Sequence, residues 1–211
     1  MSRLPTLSTT SYGVLGLLAV RPYSSYELAK EMSRSVGRLW PRATSKLYEE
    51  PKKLAAHGLA TSTTETVGRR ARTVYTITPE GRRALAEWLD EPGAGPTLEF
   101  EGLLKLIFAE HGSTAAALAT IERAREWAVE QNEENIAAAE AFLRGEGRFG
   151  ERASRTILGG RFLTDFYALV AQWADWAEDQ VRQWPDDVST GRSDPDEIRA
   201  ILERALWSRR R

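Results

Sequence analysis

The sequence predicts a mainly α-helical protein with one small β-hairpin, divided into a mixed front part and an all-helical back part. Three observations carry this. Short helical and strand patterns alternate over the first ninety residues, and helical patterns alone fill the rest. Between them, Asp90-Glu-Pro-Gly-Ala-Gly-Pro96 places two prolines and two glycines where no periodic element runs through. The expected division is residues 1–91 and 97–211.

Composition sets limits on chemistry. With 42% apolar and 28% charged residues the chain has ordinary globular usage, enough for a packed core. The absence of cysteine excludes disulfides, thiolate metal sites and thiol nucleophiles. His57 and His111 alone offer imidazole, so no metal site is expected, and both are read as helix-end residues. No apolar run reaches the roughly 18 residues of a membrane span, and Val14–Val20 lacks a signal-cleavage pattern, so a cytoplasmic protein without membrane contact is expected. The net charge of −1 conceals an asymmetry. Residues 1–92 hold 14 Lys+Arg against 9 Asp+Glu, whereas 93–211 hold 15 against 21, which suggests different partners for the two parts.

The first helix is expected over Thr9–Val20, with Val14, Leu15, Leu17 and Leu18 apolar and Gly13 and Gly16 admitting a close neighbour; Arg21-Pro22 ends it. Ser24-Ser-Tyr-Glu27 has the form of a capping box. It opens a second helix with Leu28, Met32 and Val36 at spacing four, ending near Gly37. A third helix is expected over Arg42–His57, closed by Gly58, with Leu47, Pro51 and Leu54 on one side. At 100° per residue, Arg42, Ser45, Lys46, Glu49, Lys52 and Lys53 gather on the other. Pro51 clashes with the Leu47 carbonyl of a continuous helix, which predicts a kink or a late start.

Leu59–Thr66 and Arg72–Thr78 read as strands, rich in threonine, β-branched and aromatic residues, around the turn Val67-Gly-Arg-Arg-Ala71. Thr78-Pro79 then caps a fourth helix through Leu85, Trp88 and Leu89. The back part gives four more. Leu98–Phe108 carries Leu103, Leu104 and Ile107 on one face, and a Ser113-capped helix reaches Leu143 before the flexible turn Gly145–Gly150. Glu151–Trp184 carries Gly159-Gly160 as a packing notch, and the last helix is capped by Asp194-Pro-Asp-Glu197 and ends in Trp207 and Arg209–Arg211.

Helix, helix, helix, strand, arginine-bearing turn, strand is the order of a winged helix-turn-helix, so an N-terminal domain of that kind followed by a helical dimerisation domain is expected. An α-helix fits the major groove of B-DNA, where its outward side chains read base edges. Arg42, Ser45 and Lys46 are placed for that, Lys52 and Lys53 for phosphates, and Arg69, Arg70 and Arg72 as the wing. Tyr75 and Ile77 are read as core. Any single basic residue reads more readily as a solvated surface charge; the element order gives the group its meaning.

These residues resemble the PadR family of bacterial transcriptional regulators. The resemblance rests on Ser11-Tyr-Gly-Val-Leu-Gly-Leu-Leu18, Ser25-Tyr-Glu-Leu28, Ser45-Lys-Leu-Tyr-Glu-Glu-Pro-Lys-Lys-Leu-Ala-Ala-His-Gly-Leu59 and Arg72-Thr-Val-Tyr-Thr-Ile-Thr-Pro-Glu-Gly81. It implies a homodimeric repressor on an inverted-repeat operator in double-stranded DNA, often released by a small molecule, with Tyr48 on the DNA backbone. Family members place proline directly after that tyrosine; here Glu49 stands there and proline follows at 51.

In the back part, Phe162, Phe166, Val170, Trp173, Ala177, Val181 and Trp184 recur at spacings of four and three, a seam for partner helices. Its tryptophans are read first as dimer packing. The sharper alternative is a cavity between subunits for a flat aromatic effector, lined by Trp127, Phe166, Trp173 or Trp176. No catalytic constellation, cofactor loop or metal set is found, and Glu49 and Glu50 diverge too far on a helix to act as a carboxylate pair. The rival reading is a winged helix that contacts protein rather than specific DNA.

Overall fold

The computed structural model describes residues 7–34, 37–41, 48–67, 70–146, 153–185 and 194–209. The chain forms two compact units, Met1–Pro96 and Thr97–Arg211.

The first unit runs α1 (Thr9–Leu18), β1 (Tyr23–Ser24), α2 (Ser25–Arg34), α3 (Glu50–Ala56), β2 (Ala60–Val67), β3 (Arg70–Ile77) and α4 (Pro79–Asp90). A reciprocal box starts α1. The Ser8 hydroxyl accepts from the Ser11 amide at 3.1 Å, and the Ser11 hydroxyl accepts from the Ser8 amide at 3.2 Å. Val14, Leu15, Leu17 and Leu18 are buried with Leu28 and Met32 of α2, Leu54 of α3, and Tyr75 and Ile77 of β3. Of the two α1 glycines, only Gly13 sits against a neighbour, 3.2 Å from Met32 Cε for a Cβ placed there; Gly16 meets nothing within 4 Å.

The box at Ser24 forms as its pattern predicts: the Ser24 amide donates to Glu27 Oε2 at 2.8 Å and the Glu27 amide to the Ser24 hydroxyl at 3.3 Å. Tyr23 and Ser24 also make a two-residue strand, too short for any periodic signal. The sheet is antiparallel in the order β1-β3-β2. Its β2–β3 ladder runs from Ala60↔Ile77 to Val67↔Arg70, so the hairpin arms extend further toward the tip than the expected strands.

The third helix begins late. Tyr48 and Glu49 form a turn, α3 starts at Glu50, and Pro51 stands in its first turn, where the missing N–H has no helical partner to lose. It ends on Gly58, whose φ of +71° is the left-handed conformation that glycine adopts without strain. There the Leu59 amide reaches the Leu54 carbonyl at 2.9 Å and the Gly58 amide reaches Ala55 at 3.0 Å, the two bonds of a Schellman cap. The Thr78 hydroxyl then accepts from the Gly81 amide at 3.0 Å to start α4. Gly81 is demanded by space: a Cβ there would lie 2.1 Å from the Leu59 carbonyl oxygen.

The second unit holds α5 (Glu101–Ile107), a 3-10 turn at Ala109–His111, α6 (Thr114–Leu143), α7 (Ala153–Val181), α8 (Pro195–Ala205) and a 3-10 turn at Leu206–Arg209. Ser113 and Asp194 cap α6 and α8, accepting from the amides of Ala116 at 3.1 Å and Asp196 at 2.9 Å. Helix α6 closes on Gly145 with the same pair of bonds as α3, from Glu146 to Ala141 and from Gly145 to Phe142. Helices α6 and α7 pair antiparallel. In the first half of α6, Arg125 reaches Asp175 (2.9 Å) and Glu178 late in α7; further along, Asn135 meets Thr164 at 2.8 Å. The alanines 117, 124 and 128 of α6 and 174 and 177 of α7 are buried with Ile121, Val170 and Val181 between the helices. The expected seam is therefore divided. Val170, Ala177 and Val181 face inward, while Phe162 is 54% exposed, and no neighbour lies within 4 Å of a Cβ placed on Gly160, so no notch is filled there.

Candidate nucleic-acid interface

Helix α3 has two faces of opposite character. Glu50, Pro51 and Leu54 are buried, whereas Lys52 and Lys53 are exposed and the Tyr48 ring, in the turn just before, is 56% exposed. Burying one face against α1 fixes the direction of the other. The backbone hydrogen bond from Lys53 to Glu49 at 3.1 Å ties the Tyr48–Glu49 turn to the helix, so Tyr48, Lys52 and Lys53 belong to one outward surface. Arg42, Ser45 and Lys46 lie outside the described residues, as does Arg69.

Glu50 is the residue whose role sequence spacing hides. Its side chain is 5% exposed; Oε2 accepts the Ser11 hydroxyl at 2.7 Å and Oε1 faces the Lys53 ammonium at 3.2 Å. A buried carboxylate needs such partners, because an unpaired one is costly to desolvate. The partner on α1 is thirty-nine positions away, beyond any local pattern. His57 is the cap residue of α3, and His111 ends a 3-10 turn beside Glu110. Among the described residues no group of three or more His, Cys, Asp or Glu side chains is placed to hold a metal ion, and no helix is long and apolar enough to cross a membrane.

In the wing, Arg70 enters β3 opposite Val67, its side chain lying outside the described set. Arg72 is engaged within the protein. Its Nε and Nη2 donate to Glu65 Oε2 at 3.1 and 2.9 Å, and Nη1 stands 3.9 Å from Glu27 of α2. Glu27 is a hub: it caps α2 through Ser24 and faces both Arg21 and Arg72. The Ser24 backbone hydrogen bond foremost, then the Ser24 hydroxyl and the two arginines, hold its carboxyl below the usual glutamate range.

Within one chain, Phe166 and Trp173 pack against the same small cluster of Ala124, Ala128 and Val170, and the four effector candidates have different ring neighbours. Trp127 meets Phe166 edge-on at 6.2 Å and Tyr167 at 5.7 Å, with Phe162 stacked on Phe166 at 6.4 Å. Trp173 packs instead against Phe100 at 5.4 Å, and Trp176 is 41% exposed on α7.

Three helices closed by an antiparallel wing, with lysines turned outward on the third, define a winged helix-turn-helix of the DNA-binding class. Residues 14–87 match the transcriptional regulator PadR-like family. The negative transcriptional regulator PadR of Bacillus subtilis (strain 168) is 32% identical over 99 residues, covering 46% of this chain and 54% of that protein, so the aligned segment spans about half of it. The Mycobacterium tuberculosis "Probable transcriptional regulator Rv1176c" is 26% identical over 189 residues, 84% of this chain and 94% of that one. The fold matches the crystal structure of Bacillus subtilis PadR in complex with operator DNA (TM-score 0.70, 22% identity, 82% of this chain and 99% of that one). It also matches the same regulator in complex with p-coumaric acid (TM-score 0.62, 21% identity, 83% and 100%).

Proposed function

We propose that this transcriptional regulator is a homodimeric repressor that grips an inverted-repeat operator in duplex DNA and is released by a small aromatic effector. The observation that carries the DNA reading is the two-faced α3, with Pro51 and Leu54 in the core and Lys52, Lys53 and the Tyr48 ring outward. On this reading Tyr48, Lys52 and Lys53 meet the phosphate backbone. Arg42, Ser45 and Lys46 read bases, and Arg69 and Arg70 form the wing contact, as their places in the sequence pattern suggest. Arg72 serves chiefly to fix the wing to α2 through Glu65 and Glu27.

Dimerisation belongs to residues 97–211. Leu104, Ile107, Leu143, Ile157, Leu158 and Leu169 are each more than half exposed there, an apolar burden that a second copy would cover. The effector reading centres on the Trp127–Phe166–Tyr167 cluster, supported by the p-coumaric acid complex of the Bacillus regulator. A DNA-bound role places the protein in the cytoplasm, and no catalytic step is assigned to it.

Fluorescence anisotropy with the DNA upstream of its own coding region tests the central claim. Binding should weaken steeply with salt as phosphates regain counterions. A flat salt dependence with no sequence preference favours the protein-contact reading instead. Sedimentation of the free protein at dimer mass tests the second copy. Titration with hydroxycinnamates, read by tryptophan quenching and DNA release, tests the effector; no saturable change removes it.

A further inference from the structure

We infer that Thr10 and Ser11 of α1, with Trp40 and Glu50, form a two-point clamp that sets the DNA selectivity of the recognition segment. The inference rests on the DNA-binding reading and adds positioning residues to it. Trp40 and Glu50 flank the stretch that holds Arg42, Ser45, Lys46 and Tyr48. On the near side, Trp40 Nε1 donates to Thr10 Oγ1 at 3.2 Å. On the far side, the Ser11 hydroxyl donates to Glu50 Oε2 at 2.7 Å. Thr10 and Ser11 are adjacent, and both are buried, at 8% and 5% exposure.

Neighbouring residues on a helix point about 100° apart, so the two bonds leave α1 in different directions and oppose both sliding and rotation. The seat itself is firm. Ser11 also closes the capping box of α1, and the adjoining α1 positions Val14 and Leu15 are fully buried. Glu50 passes the fixation on to Lys53 through its other oxygen, so an outward lysine is oriented by the same carboxylate. Apolar packing of Pro51 and Leu54 holds α3 on the core, and such packing is not directional. Hydrogen bonds supply the missing direction, because they act only in a narrow geometry. Base readout needs that direction, whereas attraction of lysines to phosphates tolerates its loss.

The experiment uses the full chain. Wild-type protein selects duplexes from a random-sequence pool. Affinities for a selected duplex and for its scrambled counterpart are then measured at one salt concentration, well below every unfolding midpoint. Trp40→Phe keeps the ring and removes the N–H, Glu50→Ala removes the acceptor, and Glu50→Gln keeps an oxygen for Ser11. We expect Trp40→Phe and Glu50→Ala each to lower the selected-to-scrambled ratio about tenfold, on the scale of one misplaced base contact, with scrambled affinity little changed. Glu50→Gln should retain most of the ratio. An unchanged ratio in folded Trp40→Phe and Glu50→Ala overturns the clamp, as does an equal fall on both duplexes, which marks general destabilisation. Should Glu50→Ala fail to fold, Trp40→Phe decides. Should the wild type select no sequence, the DNA-binding reading fails and the clamp with it.

Discussion

Replacing Gly81 with alanine is the sharpest test of how α4 is seated on the winged helix. The new Cβ would stand 2.1 Å from the Leu59 carbonyl oxygen, 2.9 Å from Ile77 Cγ1 and 3.0 Å from the Leu59 carbonyl carbon. The closest of these is about 1 Å short of a tolerable contact and involves backbone, so no rotamer change relieves it. Nor can the oxygen retreat freely, because it accepts the Thr78 amide at 3.1 Å. Overpacking of this kind costs about 2–4 kcal/mol, and the better helix propensity of alanine returns at most about 1 kcal/mol. A net loss of about 1–3 kcal/mol in a unit of this size lowers its melting midpoint by roughly 5–20 °C. Calorimetry is the suitable assay, since two compact units can melt separately. Gly16→Ala provides the control: nothing lies within 4 Å of its Cβ, so it should gain up to about 1 kcal/mol from propensity alone. The reasoning is refuted if Gly81→Ala melts with the wild type, or if both substitutions move the midpoint in the same direction.

Lys52→Ala should weaken binding to all duplexes alike and reduce the salt slope by about one, measured by anisotropy over a salt series. Glu27→Gln tests the capping hub through pH. The folded carboxyl titrates below its ordinary value near 4.5, so its contribution to stability is present at neutral pH. That contribution begins to fall as pH drops through the ordinary value and is gone below the folded one. The melting difference between wild type and Glu27→Gln should therefore shrink from pH 7 to pH 3; a constant difference excludes charge as its source. Arg125→Ala removes a cation that meets Glu122 on its own helix and Asp175 and Glu178 across the α6–α7 pair. With solvent screening the loss should be about 1 kcal/mol, confined to the melting of the second unit.

Local chemistry was legible where it is closed within a few residues. Ser24 with Glu27, Thr78 with Pro79, Ser113 and Asp194 all cap the helices their patterns announce. Pro51 announces a kink or a late start, and α3 takes the second, with the proline ring in its first turn. What could not be read has partners far along the chain. β1 exists only because β3 lies beside it, and two residues carry no period of their own. The buried Glu50 looks like one of two surface carboxylates until α1 is packed against it. Nor did spacing show that Phe100, just before α5, would meet the Trp173 ring while Trp127 meets Phe166.

The wing shows how register turns similar residues into different ones. In sequence, Arg69, Arg70 and Arg72 form a single basic cluster. The ladder places Arg72 directly opposite Glu65, so the pair closes across the hairpin as opposite charges on neighbouring strands do. Glu27 then joins the hairpin to the start of α2. A phosphate reaching Arg72 must compete with two carboxylates already in place, whereas Arg70 has Val67 as its cross-strand neighbour. Arg72, two residues along β3, ties the hairpin to α2 through these carboxylates. The same division holds in α3, where Glu50 faces inward to seat the helix and Lys52 faces outward. In both elements a carboxylate holds a cation in place: Glu65 and Glu27 hold Arg72, and Glu50 holds Lys53.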